Sequence, residues 1–372
     1  MNPISYCMNV HPGESVEAVL RALRESTLPI TAALKSPDFG IGLRLSAEAA
    51  AELRDADTLS RFRQFFRNNR LRTIGINGFP FGNFHMRPVK TAVYEPDWAT
   101  EARSIYTHDL FYLLSSLPEL PGTNTPISVT TVPLAYDRGQ GISRPILDNI
   151  CEIALFLRKL EGFTGRRMML ALEPEPDCLL DTATNTIAFF ETLWHHPLWS
   201  PLNTPYIGLC FDTCHFAVNF EDPLVALRSI VGAGIPIARI QISAALEFHE
   251  DTPTQALAPF LDSVYLHQTR TLGSDGTLNR YPDLTPDILP ALRGLRGRTH
   301  FHVPLAWKGN QSLRSTRDTL TPDFWRYVKN HGWPLELETY TYRVLPSALR
   351  SQTLSEMIVY DFRWMQEQLR RA

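Results

Sequence analysis

Met168-Met169-Leu170-Ala171-Leu172-Glu173 is an apolar, strand-like run that ends in a carboxylate, and Pro174 follows it directly. Because proline cannot continue the hydrogen-bond ladder of a central strand, the run ends just after Glu173. Three further strand-like runs end in an acidic or imidazole side chain, at residues 207–212, 299–302 and 335–338. In a barrel of parallel strands these ends meet at one mouth, where nearly all characterised barrel enzymes keep their chemistry.

Apolar runs of this kind recur along the whole chain, with helix-like segments between them. This alternation is typical of buried parallel strands joined by helical crossovers. Nine runs are strand candidates: residues 4–10, 40–45, 72–77, 127–132, 167–173, 206–212, 237–243, 299–303 and 335–340. Since eight strands close a barrel, one candidate lies outside it. The sequence therefore predicts an α/β fold, a single (β/α)8 TIM barrel that spans residues 1–372 as one domain.

Helix starts between the strand candidates carry conventional caps. Ser46 precedes an amphipathic stretch over residues 47–66, and Thr321 precedes a proline at a first helical position. The last segment, residues 351–369, has apolar side chains at spacings of three and four. This spacing predicts a C-terminal amphipathic helix that packs on the barrel exterior.

Two insertions, at about residues 79–97 and 244–298, are longer than ordinary connections between strands and helices. The second contains Asp275-Gly276, a pair that favours a hairpin turn between two short strands. Long connections after barrel strands usually cover the mouth, so we expect both insertions to be lid or substrate-binding loops. The alternative is surface elaboration without a ligand.

Composition and charge exclude several classes of protein. Lysine and arginine number 36 against 39 acidic residues, so the net charge is 36 − 39 = −3, and no broad basic surface serves nucleic acid or an anionic membrane. No apolar stretch approaches the roughly 20 residues that cross a bilayer, and the N-terminus lacks a secretory signal. The five cysteines are odd in number, which suits reduced thiols. We expect a cytoplasmic protein whose partner is a small molecule.

The strand-end side chains predict a divalent-metal site that would take Mn, Mg, Zn or Fe. Glu173, Asp212 and Glu338 are the carboxylate candidates, and His302 is the imidazole candidate. On the strand candidate 237–243 the inward polar residue is Gln241, which can coordinate a metal through its carbonyl oxygen or hydrogen-bond a substrate. Whether Gln241 or His302 is the ligand stays open.

Further side chains are candidates for the metal or the substrate. His215 follows Asp212 by three residues across a strand-to-helix turn, so it can be a ligand or can orient one. Four residues are candidate substrate contacts: His11, His85, Lys308 and His267. Either His11 or His85 can instead complete a second metal position. Two carboxylates on opposite sides of a polyol can act as acid and base, and Glu173 and Glu338 fit these roles by position.

The strand-end residues resemble the xylose-isomerase-like superfamily of metal-dependent barrels, which place Glu, Asp, His and Glu on four successive late strands. The corresponding order here is Glu173, Asp212, Gln241 or His302, and Glu338. The phrase Gly208-Leu209-Cys210-Phe211-Asp212-Thr213-Cys214-His215 is also similar to a strand of the abasic-site endonucleases in that superfamily. Glutamine in the place of histidine departs from the four-ligand pattern of the sugar isomerases.

A resemblance along the whole chain points to the EboE metabolite traffic proteins of ebo gene clusters. The matching segments include Asn9-Val10-His11-Pro12-Gly13-Glu14, Gly42-Leu43-Arg44-Leu45-Ser46, Asn77-Gly78-Phe79-Pro80, Tyr265-Leu266-His267-Gln268 and His300-Phe301-His302-Val303-Pro304-Leu305. Membership implies a bacterial gene cluster that handles or exports a secondary metabolite, with other proteins of the cluster as partners. It does not supply a reaction.

Three hypotheses about function follow from these residues. The first is a metal-dependent isomerase or epimerase that acts on a sugar-like or cyclitol-like polyol in a secondary-metabolite pathway. The second is a barrel without catalysis that binds or carries a metabolite. The third is a hydrolase with two metal ions, related to the abasic-site endonucleases. The near-neutral charge disfavours nucleic acid as its substrate.

Overall fold

The computed structural model describes residues 2–35, 39–85, 88–120, 126–350 and 352–372. In chain order the strands are β1 (Ile4–Cys7), β2 (Phe39–Arg44), β3 (Thr73–Asn77), β4 (Ile127–Thr131), β5 (Met168–Leu172), β6 (Ile207–Asp212), β7 (Ile237–Ile242), β8 (Leu246–Phe248), β9 (Thr269–Leu272), β10 (Leu278–Tyr281), β11 (Arg296–Thr299), β12 (Leu313–Ser315) and β13 (Leu335–Leu337). The helices are α1 (Val16–Ala22), α2 (Leu28–Leu34), α3 (Ala47–Glu52), α4 (Ala56–Asn68), α5 (Glu101–Ser116), α6 (Arg144–Thr164), α7 (Ala183–Trp194), α8 (Thr213–Val218), α9 (Pro223–Gly232), α10 (Pro322–His331) and α11 (Leu354–Arg371).

Eight parallel strands form a closed barrel in the order β1-β13-β7-β6-β5-β4-β3-β2. Every residue of these eight strands is buried, which explains why the runs are apolar without alternation. Helices lie between consecutive barrel strands along the chain. The predicted (β/α)8 barrel with a C-terminal helix is confirmed. The extent of the domain, residues 1–372, stays a prediction.

The supernumerary strand candidate is the one at residues 299–303. Only Thr299 of this run belongs to a strand, as the last residue of β11, and β11 pairs with β8 and β9 in an antiparallel sheet outside the barrel. The chain bends after Thr299, because the Phe301 amide donates to the Thr299 carbonyl at 2.7 Å. The prediction that His302 ends a barrel strand is therefore wrong, although His302 still lies at the mouth, as described below.

The second insertion is longer than the predicted residues 244–298. Its five-stranded sheet, in the order β10-β9-β11-β8-β12, extends from Leu246 to Ser315. The predicted hairpin is confirmed as β9 and β10, with Gly276 in the turn at a φ of 83°, which glycine adopts without strain. The first insertion contains a short 3-10 helix, Lys90–Tyr94, and its residues 86 and 87 lie outside the described residues.

The predicted helix caps are present. Ser46 Oγ accepts from the Ala49 amide at 3.1 Å and Thr321 Oγ1 from the Phe324 amide at 3.3 Å. The stretch 47–66 is divided into α3 and α4, because Asp55 caps a new helix. All five cysteines are free and buried, and no helix in the described residues is long and apolar enough to cross a membrane.

A buried ion pair crosses the barrel interior. Arg239 on β7 donates to both carboxylate oxygens of Glu336 on β13, at 3.1 and 3.2 Å, and its other nitrogens donate to Ser128 on β4. All three residues are almost fully buried. A Cβ atom at Gly42 would lie 1.6 Å from Glu336 Oε1, and one at Gly75 would lie 2.0 Å from Arg239 Nη2. The two glycines therefore provide the space that this ion pair occupies.

Replacing Glu336 with glutamine should lower the free energy of unfolding by about 3–5 kcal/mol, because it leaves the Arg239 guanidinium buried without its counter-charge. Urea denaturation of the variant measures this loss. The matched control is Arg326→Gln, which breaks an exposed pair with Asp323 and should cost less than about 1 kcal/mol. Equal losses in the two variants would contradict a structural role for the buried pair.

Candidate metal centre

A small cavity lies at the C-terminal ends of the barrel strands. It offers about 50 Å³ to the centre of a water-sized sphere, which is room for roughly four ordered waters. Its lining includes three carboxylates and three imidazoles, those of Glu173, Glu175, Glu338, His215, His300 and His302. All six side chains are buried. The ends of the barrel strands and the chain after them therefore bring six buried ionisable groups together around one small cavity.

Three carboxylates around this mouth each have one buried oxygen without a hydrogen-bond partner among the described residues: Glu173 Oε2, Asp212 Oδ2 and Glu338 Oε2. The other oxygen of Asp212 already has several partners. It caps α8 by accepting from the amides of Cys214 and His215, and it also accepts from the Ser243 hydroxyl. Glu338 Oε1 accepts from Asn9 at 3.3 Å. Unpaired buried oxygens are costly, so this arrangement calls for a proton or a cation.

The electrostatics of the site penalise the charged carboxylates. Burial and then the charges of Asp212 and Glu338 raise the pKa of Glu173 well above its ordinary value. Burial and then the neighbouring Glu336 raise the pKa of Glu338 to about 8. Both shifts arise first from burial and then from neighbouring carboxylates, so the site disfavours two charged carboxylates without a cation.

The three imidazoles have their tautomers set by acceptors on one side of each ring. The Nδ1 atoms of His215 and His302 face the backbone carbonyls of Pro174 and Glu338, at 2.8 and 2.9 Å. A carbonyl oxygen only accepts, so each Nδ1 carries a proton, and Nε2 is the ring atom left for a ligand. His300 does the same through a glutamine carbonyl oxygen, at 2.7 Å. Imidazoles that bind metals are commonly held in this way.

Burial lowers the pKa of His302 to about 4 and, with the neighbouring His215, lowers that of His300 well below its ordinary value. Both rings are therefore neutral at pH 7. Yet their Nε2 atoms lie 3.1 Å apart, and two neutral rings with their lone pairs face to face repel each other. A shared proton or a cation between them removes that repulsion.

The donor set fits a divalent metal ion. One ligand atom each from Asp212, His215 and His302 lie within 4.8 Å of one another, and the same holds for Glu175, His215 and His300. Carboxylate oxygen with imidazole nitrogen suits Zn, Mn and Fe, and the carboxylates also suit Mg. Unpaired oxygens and oriented lone pairs are the two features that a metal ion satisfies together.

Gln241 lies beside this set but faces the ion pair of the barrel interior. Its amide nitrogen donates to Glu336 Oε2 at 3.3 Å, whereas its Oε1 is buried without a partner in the described part of the chain. Gln241 does not line the cavity, and His302 does. The geometry therefore brings His302, and not Gln241, to the surface that a ligand would contact.

Neither of the predicted substrate contacts His11 and His85 lines the cavity. The Nε2 atom of His11 is bonded to the Tyr6 hydroxyl at 3.2 Å, and burial lowers the pKa of His11 to about 4. The Nδ1 atom of His85 is bonded to the Tyr265 hydroxyl at 2.6 Å. Both rings therefore pack behind the cavity wall, and a role for them in substrate binding stays a prediction.

Lys308 and His267 were also predicted to contact the substrate, and neither lines the cavity. Lys308 is exposed and lines a different groove, beside α10 and α11, because the chain turns away from the mouth after His302. His267 is fully buried, with Nδ1 bonded to the His300 carbonyl at 2.8 Å and Nε2 3.2 Å from Asp262. Its ring therefore supports His300 from behind and does not reach the cavity.

Glu175 lines the cavity but was not among the candidates from the sequence. Its Oε1 accepts from the Tyr94 hydroxyl at 2.8 Å and lies 3.3 Å from His300 Nδ1. The signal was present in Glu173-Pro174-Glu175-Pro176, where a second carboxylate follows the strand end at a spacing of two. Asn9, which donates to Glu338, was likewise missed.

Comparison with known proteins supports the fold. No protein-family model matches the sequence, and no curated protein matches it. Among solved structures, the IOLI protein with a binding zinc atom is 12% identical, with 99% of this chain and 98% of that chain covered and a TM-score of 0.50. D-allulose 3-epimerase from Methylomonas sp., in complex with D-allulose, is 11% identical, with 99% and 97% covered and a TM-score of 0.50. These similarities show the same barrel fold.

Glu173→Gln should stabilise the metal-free protein and weaken its binding of divalent ions. The raised pKa of Glu173 means that the folded state loses stability as pH rises above the ordinary carboxyl value, and glutamine removes that loss. Urea denaturation at pH 8 should therefore show a higher free energy of unfolding. Titration calorimetry with Mn²⁺ should show at least about 100-fold weaker binding, since even outer partners of a ligand are worth 10–100-fold.

The matched control for this variant is Glu221→Gln, which alters a carboxylate outside the cavity that accepts from the Ala183 amide. It should leave the affinity for Mn²⁺ unchanged. Wild-type affinity in Glu173→Gln would exclude Glu173 as a ligand.

Proposed function

We propose that this protein is a metal-dependent isomerase or epimerase of a sugar-like or cyclitol-like polyol. The observation that carries the proposal is a set of buried carboxylate oxygens without partners among the described residues. Two belong to Glu173 and Glu338, which line the cavity. The third belongs to Asp212, which does not line it but has a carboxylate oxygen within 4.8 Å of ligand atoms of His215 and His302. With His302 these three carboxylates form the ligand set for one Mn, Mg, Zn or Fe ion. His215 is either a further ligand or a support for Asp212, from which its Nε2 lies 4.0 Å away.

Two carboxylates then transfer the proton between neighbouring carbons. Glu173 follows β5 and Glu338 follows β13, so the two approach a bound polyol from different strands of the barrel. A group whose pKa lies near the working pH is best suited to give and take protons, and burial places Glu338 in that range. When bound, the divalent ion would polarise the carbonyl or hydroxyl oxygens of the polyol.

The covered mouth supports the same chemistry. Phe79, Phe84 and Tyr340 line the same cavity as Glu173 and Glu338. They exclude bulk water, which strengthens the electrostatic interactions inside and protects a reactive carbanion-like species from unwanted protonation. D-allulose 3-epimerase, which shares this barrel, is a sugar-acting enzyme of the kind proposed here.

We further propose, from the sequence resemblance to the EboE proteins, that the polyol belongs to an ebo-type secondary-metabolite pathway. Other proteins of the same gene cluster would be its partners. The reduced state of the five buried cysteines is in keeping with a cytoplasmic place of action.

A hydrolase with two metal ions is the second candidate. The observation that favours it is the additional set of Glu175, His215 and His300, which adjoins the set of Asp212, His215 and His302. His215 would serve one of the two ions, because its Nδ1 is bonded to the Pro174 carbonyl. Two ions held a few ångströms apart stabilise the attacking and leaving oxygens of a hydrolytic displacement. Two tightly bound ions per chain would favour this reaction over isomerisation.

The proposed reaction predicts exchange of a carbon-bound hydrogen with solvent. Mn²⁺-loaded protein incubated in deuterated water with a panel of ketoses, aldoses and inositols should place deuterium at one carbon of its substrate and form the epimer or isomer, as read by proton NMR. Glu338→Gln should slow this incorporation by at least about 100-fold, because an acid–base group of this kind contributes 10²–10⁴-fold.

The control is again Glu221→Gln, which should retain the wild-type rate. A polyol that binds the metal-loaded protein in calorimetry but neither acquires deuterium nor forms an epimer or isomer would contradict the proposed reaction.

A further inference from the structure

Lys90 joins the two insertions across the mouth of the barrel. Its ammonium donates to the backbone carbonyls of Asp262 and Tyr265, at 2.8 and 2.7 Å, and to Asp283 Oδ2 at 2.7 Å. The Lys90 amide also donates to the carbonyl of Val264, at 3.3 Å. Lys90 belongs to the first insertion and its partners belong to the second. One cation thus makes three charge-assisted bonds between them.

The backbone at Lys90 is held in an unfavourable conformation. Its φ is 42°, in the left-handed region that residues with a side chain rarely adopt. Such a conformation persists only where the surroundings hold it, and it is found at ligand clamps and switches. The bonds of the Lys90 ammonium and amide are made at this strained position.

An apolar contact runs beside these bonds and covers the carboxylates. The ring of Phe84, from the first insertion, lies 5.1 Å from that of Tyr265 and 5.6 Å from that of Tyr340. Beneath them Glu173 and Glu338 are each only 4% exposed. The two insertions together therefore close the mouth over the candidate metal centre.

The closed mouth is too small for the proposed substrate to enter. The cavity has room for roughly four waters, whereas a sugar or cyclitol has several times as many non-hydrogen atoms. The insertions must therefore separate before a polyol binds. The bonds that hold them together then set the rate of access.

The same bonds extend to the candidate metal centre. Asp283 accepts from Lys90 through Oδ2 and from the His267 amide through Oδ1, at 2.9 Å. The His267 ring then donates from Nδ1 to the carbonyl of His300, at 2.8 Å. Lys90, Asp283 and His267 thus connect the first insertion to the backbone of His300, whose ring lines the cavity.

We propose that Lys90 is the latch of this mouth, and that Asp283 and His267 are positioning residues that couple its closure to the placement of His300. The inference rests on the proposed function, because access and placement matter only where a metal ion and a polyol bind. The latch explains why the His267 ring is buried behind the cavity and not inside it.

Lys90→Met tests the latch, with Lys329→Met, an exposed lysine on α10, as the matched control. In hydrogen–deuterium exchange the amides of residues 88–94 and 262–268 should exchange at least about tenfold faster in Lys90→Met, while β5 and β6 keep their protection. Release of bound Mn²⁺ to excess chelator should accelerate by a similar factor. Asp283→Asn, which keeps the shape of the side chain, should change both rates in the same direction.

The coupling is read from the ring ¹⁵N signals of labelled histidines. The His300 signal should shift in Lys90→Met and Asp283→Asn, whereas that of His11, which lies outside the chain of bonds, should not. Wild-type amide exchange and ion release in both variants would overturn the latch, and an unchanged His300 signal would overturn the coupling. Failure of the wild type to hold Mn²⁺ would instead count against the proposed function, because amide exchange reports on the latch without an ion.

Discussion

The ion pair between Arg239 and Glu336 sets the charge balance inside the barrel. It neutralises one carboxylate at the level of the strands and also engages the amide of Gln241. At the C-terminal ends of the strands, Glu173 and Glu338 have no such partner among the described residues, and each keeps an unpaired oxygen. The negative charge of Glu173 and Glu338 is therefore left at the mouth, because the Arg239 guanidinium is already occupied by Glu336.

The negative charge of these carboxylates is neutralised only when a proton or a cation binds at the mouth. Protons can neutralise the carboxylates, as the raised pKa values of Glu173 and Glu338 indicate, or a divalent cation can replace them. The rings of His215 and His302 provide nitrogen ligands for such a cation. The buried carboxylates thus lower the stability of the metal-free fold and provide a site for a cation. The covered mouth strengthens cation binding by excluding water.

The barrel was predictable because its strands are short, wholly apolar and ended by identifiable residues, as Pro174 ends β5. Asp212 and Glu338 were predictable for the same reason, since each directly follows or ends a barrel strand. His302 and Lys308 depend instead on the insertion, whose strands pair across long stretches of sequence, as β8 does with β11. Local pattern does not determine such pairing. The roles of Glu175 and His267 depend on contacts with distant residues that no spacing in the sequence reveals.

The content of metal in protein purified without chelator tests the central claim most directly, by elemental mass spectrometry on wild type and Asp212→Asn. Asparagine keeps the oxygen that caps α8 but lacks the charge, so the fold should survive the change. The account predicts at least one divalent ion per chain in the wild type and a large loss of metal in the variant. A wild-type protein that holds no ion, even after soaking with Mn²⁺ or Zn²⁺, would contradict it.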